Sequence, residues 1–102
     1  MFGFYGQIRL HAFQSGSLKE RRMLIRSLTD RLKKHWNVSV ADSSPDQRWQ
    51  SVILAVAGVG SDPAQVERTL AGIRLEIDRT EAEANLLDFD FAYLPPLDAN
   101  RA

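Results

Sequence analysis

The residues from Ser17 to Asp42 constrain the fold of this chain more than any other stretch, because they predict a helix followed at once by a strand. Ser17 and Glu20 have the spacing of a capping box, in which the serine oxygen accepts the glutamate amide proton at a helix start. The helix is predicted to end near Trp36, because residues 37–41 alternate with period two and contain β-branched side chains. Between these points, apolar residues recur at helical spacing and predict one buried stripe: Leu18, Leu24, Ile25, Leu28, Leu32 and Trp36.

The rest of the chain predicts three further strands and a second helix. Alternating residues predict strands over 2–13 and 86–93, and an apolar run predicts a central strand over 49–60. Asp62 and Pro63 predict the second helix, as an N-cap followed by proline at the first helical position. The order βαββαβ predicts an α+β fold, a ferredoxin-like sandwich whose antiparallel four-stranded sheet carries both helices on one face.

The last predicted strand separates apolar from acidic side chains. Its apolar residues are expected to point to one face of the sheet: Leu87, Phe89, Phe91 and Tyr93. Asp88 and Asp90 are expected to point to the other face. Arg9 and His11 of the first strand are expected to face these two carboxylates, because the first and last strands of this fold are antiparallel neighbours.

Length and composition predict one domain without covalent or metal support. The chain has 102 residues and no cysteine, which excludes a disulfide or a thiolate metal site. We expect the domain to span 1–94 and residues 95–102 to form a disordered tail. The N-terminus lacks the basic region of a signal peptide, and no segment has the run of about 18 apolar residues that crosses a membrane. These features predict a cytoplasmic protein with no membrane, metal or cofactor partner.

The net charge is zero, but the two halves of the chain differ. Residues 1–50 hold nine Lys/Arg and four Asp/Glu, whereas residues 51–102 hold four and nine. This division predicts either a basic face for an acidic partner or two halves that attract each other within the fold.

At about 100° per residue, the first helix collects four of its cations within a wedge of roughly 60°, opposite the apolar stripe. We call these residues the basic stripe: Lys19, Arg22, Arg26 and Lys33. Such a line of cations can follow the phosphate backbone of structured RNA and release counterions on binding. The alternative is an ordinary solvated face, in which Asp30 pairs with Arg26 and Lys34 at helical spacing.

The sheet face away from the helices is the second candidate surface. It lacks the paired aromatics on which RNA-recognition domains stack bases. An apolar sheet face without a cover favours self-association, so we predict a homodimer or another protein partner there. The residues expected on this face are Tyr5, Arg9, His11, Ile53, Asp88 and Asp90.

Catalytic patterns are absent from the sequence, so we predict a protein that is not an enzyme. No zinc spacing, Walker loop, nucleophile elbow or paired acid–base carboxylates are present. His35 is interpreted as a core-edge histidine near the C-terminal end of the first helix. The loop 14–17 could hold an anion at a helix N-terminus. However, this loop lacks the arginine that acylphosphatase-like enzymes carry there. An anion-dependent enzyme at this loop is the third hypothesis.

The chain resembles the YlxP-like family of small bacterial proteins of unknown function. The resemblance is carried by the run 17–22, the pairs at 27–28 and 31–32, the segment 37–42, and then Asp46 and Trp49-Gln50. It implies a ferredoxin-like fold and a bacterial cytoplasmic protein. It also implies a link to RNA or the ribosome, because genes of this family often lie among those for transcription elongation, translation initiation and ribosome maturation. Lys19 and Arg22 lie within the matching motif, whereas Arg21 lies near the apolar stripe and is expected to form a local ion pair.

Overall fold

A computed structural model describes residues 1–12, 17–44, 50–80 and 84–95. Its four strands form one antiparallel sheet in the order β2-β3-β1-β4, so β3 and β1 are central and β2 and β4 are edges. This is the predicted ferredoxin-like α+β architecture. The elements are β1 (Phe2–Ala12), α1 (Leu18–His35), β2 (Val38–Asp42), β3 (Ser51–Gly60), α2 (Pro63–Asp78) and β4 (Ala84–Leu94).

The first helix begins and ends at the residues that the sequence indicated. The Ser17 hydroxyl accepts a hydrogen bond from the Glu20 amide at 3.2 Å, which satisfies one of the free N–H groups of the first turn. Trp36 has extended backbone angles and ends the helix, while its amide still donates to the Leu32 carbonyl. Ser17 as N-cap and Trp36 as the end of α1 are therefore confirmed.

Both helices cover the same face of the sheet. On α1, Leu28 and Leu32 are fully buried, and on α2, Ile73 is fully buried in the same cluster. The sheet contributes every second residue of its two central strands, as the alternation of side chains along a strand requires. The buried residues that β1 and β3 contribute to this cluster are Ile8, Leu10, Ala12, Val52, Leu54 and Val56.

The last strand departs from the predicted pattern through a β-bulge. Arg9 lies opposite Asp88, but the next residue of β1, Leu10, lies opposite Leu86, so Leu87 has no partner in β1. The bulge puts Leu86 against the core and leaves Leu87 56% exposed. The prediction that Leu87 shares a face with Phe89 is therefore wrong.

The aromatic residues of β4 lie on the predicted face of the sheet. Phe89, Phe91 and Tyr93 lie opposite Ile8, Gly6 and Phe4 on the helix side, as predicted.

The predicted tail lies outside the described residues except for Pro95, and the loop 14–16, Asp46 and Trp49 also lie outside them. No helix within the described ranges is long and apolar enough to cross a membrane.

A glycine in α2 allows the two helices to pack closely around Trp36. A Cβ atom built on Gly72 would lie 2.6 Å from Trp36 Cζ2, closer than non-bonded carbon atoms approach each other, and 3.1 Å from Cε2, which is a tight contact. The indole ring therefore lies directly against the backbone of α2.

We predict that Gly72→Ala destabilises the protein, although alanine is the better helix former by about 1 kcal/mol. The clash with the indole ring is expected to cost about 1–3 kcal/mol, as overpacking of a well-packed contact does. Urea denaturation measures the free energy of unfolding. In a Trp36→Ala background the same substitution should become stabilising. A stabilising effect in both backgrounds would contradict the contact.

Candidate functional site

The outer side of α1 presents the basic stripe to solvent. Lys19, Arg22, Arg26 and Lys33 are all exposed, whereas Leu24, Leu28 and Leu32 on the opposite side are buried. Within the described residues, no carboxylate forms an ion pair with any member of the stripe. In particular, Asp30 pairs with neither Arg26 nor Lys34 there. The four cations therefore keep their charge available to a ligand.

Arg21 is the exception among the cations of α1. It is 2% exposed, and its guanidinium lies 3.2 Å from a carboxylate oxygen of Asp42 at the end of β2. It also donates to the Ser44 hydroxyl at 2.8 Å and to the Ser51 carbonyl at 3.4 Å. The expectation that Arg21 forms a local ion pair is confirmed, and the pair fixes α1 against β2.

The Asp42 carboxylate is held in its charged form. Partial burial by itself raises the pKa of Asp42, but hydrogen bonds from the hydroxyl and amide of Ser44, and then from Arg21, outweigh burial and lower the pKa. The Ser44 hydroxyl lies 2.7 Å and the Ser44 amide 3.0 Å from the same oxygen. At neutral pH the carboxylate therefore neutralises Arg21 and leaves Arg22 and Arg26 without a counterion.

A cleft of about 320 Å³ lies between α1 and the end of β2. Arg22 and Arg26 of the basic stripe form part of its wall, so half of the stripe borders a concave surface. Asp30 lies at the wall as well. The full lining of this α1–β2 cleft is Arg21, Arg22, Ile25, Arg26, Thr29, Asp30 and Asp42.

One ion pair among the described residues joins the basic and acidic halves of the chain. Arg31 of α1 lies 3.7 Å from Glu76 of α2, and Glu76 also lies 3.3 Å from Arg79, the residue that follows α2. Glu76 is 7% exposed, so it connects the two helices where they meet. No residue of the basic stripe takes part in this contact. Attraction between the two halves of the chain therefore leaves the charges of the stripe unneutralised.

The open face of the sheet carries the second set of predicted site residues. Arg9 lies opposite Asp88, as expected, but Asp90 lies opposite Gln7 and His11 lies opposite Asn85. The expectation that His11 faces an aspartate is therefore wrong: because β1 and β4 run antiparallel with Arg9 opposite Asp88, Asp90 meets the residue two before Arg9 and not the residue two after it. Tyr5 is 53% exposed and Ile53 is half-buried on this face.

The position of His35 differs from the prediction. His35 is exposed, and its ring contacts the Trp36 ring edge-on at a centroid distance of 5.6 Å. Trp36 takes the core-edge position against Gly72, so the chain turns there and leaves His35 outside.

In the described part of the chain, no group of three histidines and carboxylates is placed to hold a metal ion.

Sequence patterns did not predict the α1–β2 cleft. Its shape depends on the distance between a helix and a strand in space, which no periodicity encodes. The one available signal was Arg21, a cation at the margin of an apolar stripe, whose position required a buried partner.

Comparison with known proteins adds a family and a fold. A family model described as "Protein of unknown function (DUF503)" matches residues 4–91. The chain is 30% identical to the "Uncharacterized protein YlxP" of Bacillus subtilis (strain 168) over 78 residues, covering 76% of this chain and 84% of that protein. Among solved structures, it is similar to the "De novo designed protein Foldit4", with a TM-score of 0.54 and 19% identity over 95% of this chain and all of the other. The structural likeness concerns the fold alone.

Proposed function

The chain belongs to the DUF503 family of proteins of unknown function, and we propose that it is a non-enzymatic protein that binds structured RNA or the ribosome through the basic stripe. The observation that carries the proposal is the exposure of Lys19, Arg22, Arg26 and Lys33 along one side of α1 without ion-pair partners among the described residues. Cations held in a line by a rigid helix suit the regular spacing of phosphates on a folded nucleic acid.

The geometry of α1 supports contact with phosphates rather than with bases. The stripe lies on a regular helix whose opposite side is fixed in the core by Leu28 and Leu32, so the backbone positions of its cations are fixed relative to one another. Contacts of this kind carry no sequence information, and their strength falls steeply with salt. The bound RNA is therefore recognised by its charge and shape.

The salt dependence of binding tests this proposal. We expect a labelled RNA hairpin to bind at low ionic strength, with a slope of log K against log salt of about −3 to −4, because four cations each release roughly 0.9 counterion. Fluorescence anisotropy at several salt concentrations gives this slope. A slope near zero, or no binding at low salt, would contradict the proposal.

A homodimer formed through the open sheet face is the second candidate function. The specific observation in its favour is a run of small and apolar residues across two central strands and an edge: Tyr5, Ile53, Ala55, Ala57, Val59 and Leu94. Val59 is 52% and Leu94 46% exposed, so this face keeps apolar area in water unless a partner covers it.

We predict that Ile53→Asp converts such a dimer to a monomer, because it places a charge at the centre of the apolar face. Sedimentation velocity at high micromolar concentration measures the oligomeric state. Leu75→Asp, at an exposed apolar position of α2 away from the open sheet face, is the matched control and should leave the dimer in place. A wild-type protein that sediments as a monomer contradicts the dimer and leaves the RNA proposal untouched.

A further inference from the structure

We propose that the free edge of β2 and the adjoining α1–β2 cleft bind an extended acidic peptide segment of a partner protein by adding it to the sheet as a fifth strand. This goes beyond RNA binding, because it uses backbone groups that a phosphate backbone does not need. The occupant is a protein segment in β conformation, with carboxylates on the side that faces α1.

The register of the sheet shows which backbone groups of β2 are available. The Ser43 amide donates to the Ile53 carbonyl at 2.8 Å. Because bonded and non-bonded pairs alternate in an antiparallel ladder, Ala41 and Ser39 also bond to β3. Val40 and Asp42 therefore direct their N–H and C=O groups away from β3. No described strand pairs with this edge.

The cleft beside the free edge selects the side chains of an added strand. Side chains of a strand alternate between the two faces of a sheet, so every second residue of the incoming segment points toward α1. There it meets Arg22 and Arg26, which have no ion-pair partner among the described residues. Ile25 adds a half-buried apolar contact. Carboxylates of the incoming segment complement the positive charges of these two arginines. Asp30 repels a second acidic residue at its own end of the cleft.

The peptide surface and the RNA surface share two residues and differ in the rest. Arg22 and Arg26 belong to both, whereas Lys19 and Lys33 do not line the cleft and Val40 is not part of the basic stripe. RNA and peptide are therefore expected to compete. Substitutions outside the shared pair separate the two proposals.

The test uses the full chain and a fluorescein-labelled peptide of alternating valine and glutamate, with a valine–lysine peptide as the charge control. Val40→Pro removes an edge N–H that the sheet itself does not use, a position at which proline is tolerated. Val40→Ala controls for the lost side chain. Lys19→Glu with Lys33→Glu changes the net charge as much as Arg22→Glu with Arg26→Glu does.

We expect the acidic peptide to bind wild type, Val40→Ala and the lysine double variant alike, and to bind Val40→Pro and the arginine double variant about tenfold more weakly or worse. RNA binding should be weakened in both double variants and unchanged in Val40→Pro. The lysine peptide should not bind. Hydrogen exchange on the wild-type protein gives a readout independent of any variant, with slower exchange at the Val40 and Asp42 amides when the acidic peptide is bound.

Three results would overturn the inference. They are equal binding to Val40→Pro and Val40→Ala, equal loss in the lysine and arginine double variants, or unchanged exchange at Val40 and Asp42. Failure of RNA binding alone would count against the basic stripe as an RNA surface and leave the peptide site standing.

Discussion

Replacing Arg22 and Arg26 together by glutamate is expected to abolish RNA binding while leaving the thermal midpoint almost unchanged. Both side chains are exposed and outside the core, so no buried contact is lost. Two phosphate contacts are lost, and two new charges repel the RNA, so we expect affinity to fall about a hundredfold or more near 0.1 M salt. Anisotropy titration measures the affinity, and circular dichroism measures the thermal midpoint.

The matched control for this variant lies on the second helix. Arg68 and Arg74 of α2 are also exposed, so their replacement by glutamate changes the net charge by the same amount at a different place. If binding depends on the position of the stripe, the α2 variant should keep most of the affinity. Equal loss in both variants would mean that only the overall charge matters.

Truncation of Leu28 to alanine is expected to lower the free energy of unfolding by about 2–5 kcal/mol. Leu28 is fully buried at the centre of α1, in the cluster that joins both helices to the central strands. The truncation removes apolar contacts and leaves a cavity that the neighbours fill only in part. Since small domains are stable by about 5–15 kcal/mol, this is a large fraction of the total. Urea denaturation measures the loss.

Met23→Ala on the same helix is the control for the Leu28 variant. Met23 is 61% exposed, so its truncation removes little buried area and should change stability by less than about 0.5 kcal/mol. If the two truncations lower the free energy of unfolding equally, α1 does not bury the side that carries Leu28. The side that carries the basic stripe would then not be the solvent-facing side.

The first helix was predictable because its determinants are local. Helical spacing of Leu24, Leu28 and Leu32 fixes which side is buried, and Ser17 fixes where the helix starts. The exposure of the basic stripe follows from the same periodicity. Even the burial of Arg21 follows from its place at the margin of the apolar stripe.

The features that the sequence did not predict arise between elements. The bulge in β4 depends on matching Leu86 and Phe89 to Leu10 and Ile8 of β1, and strict alternation within β4 cannot reveal it. The exposure of His35 results from Trp36 packing on Gly72 of the other helix. The α1–β2 cleft likewise requires the position of a helix relative to a sheet edge.

Ultraviolet crosslinking of the protein to a bound RNA hairpin, with mass spectrometry of the attached peptides, identifies the surface that contacts the RNA. We expect ribonucleotides attached to peptides of α1 between Lys19 and Lys33. Attachment to the open sheet face, at peptides that contain Tyr5 or Ile53, with α1 unmodified, would contradict it.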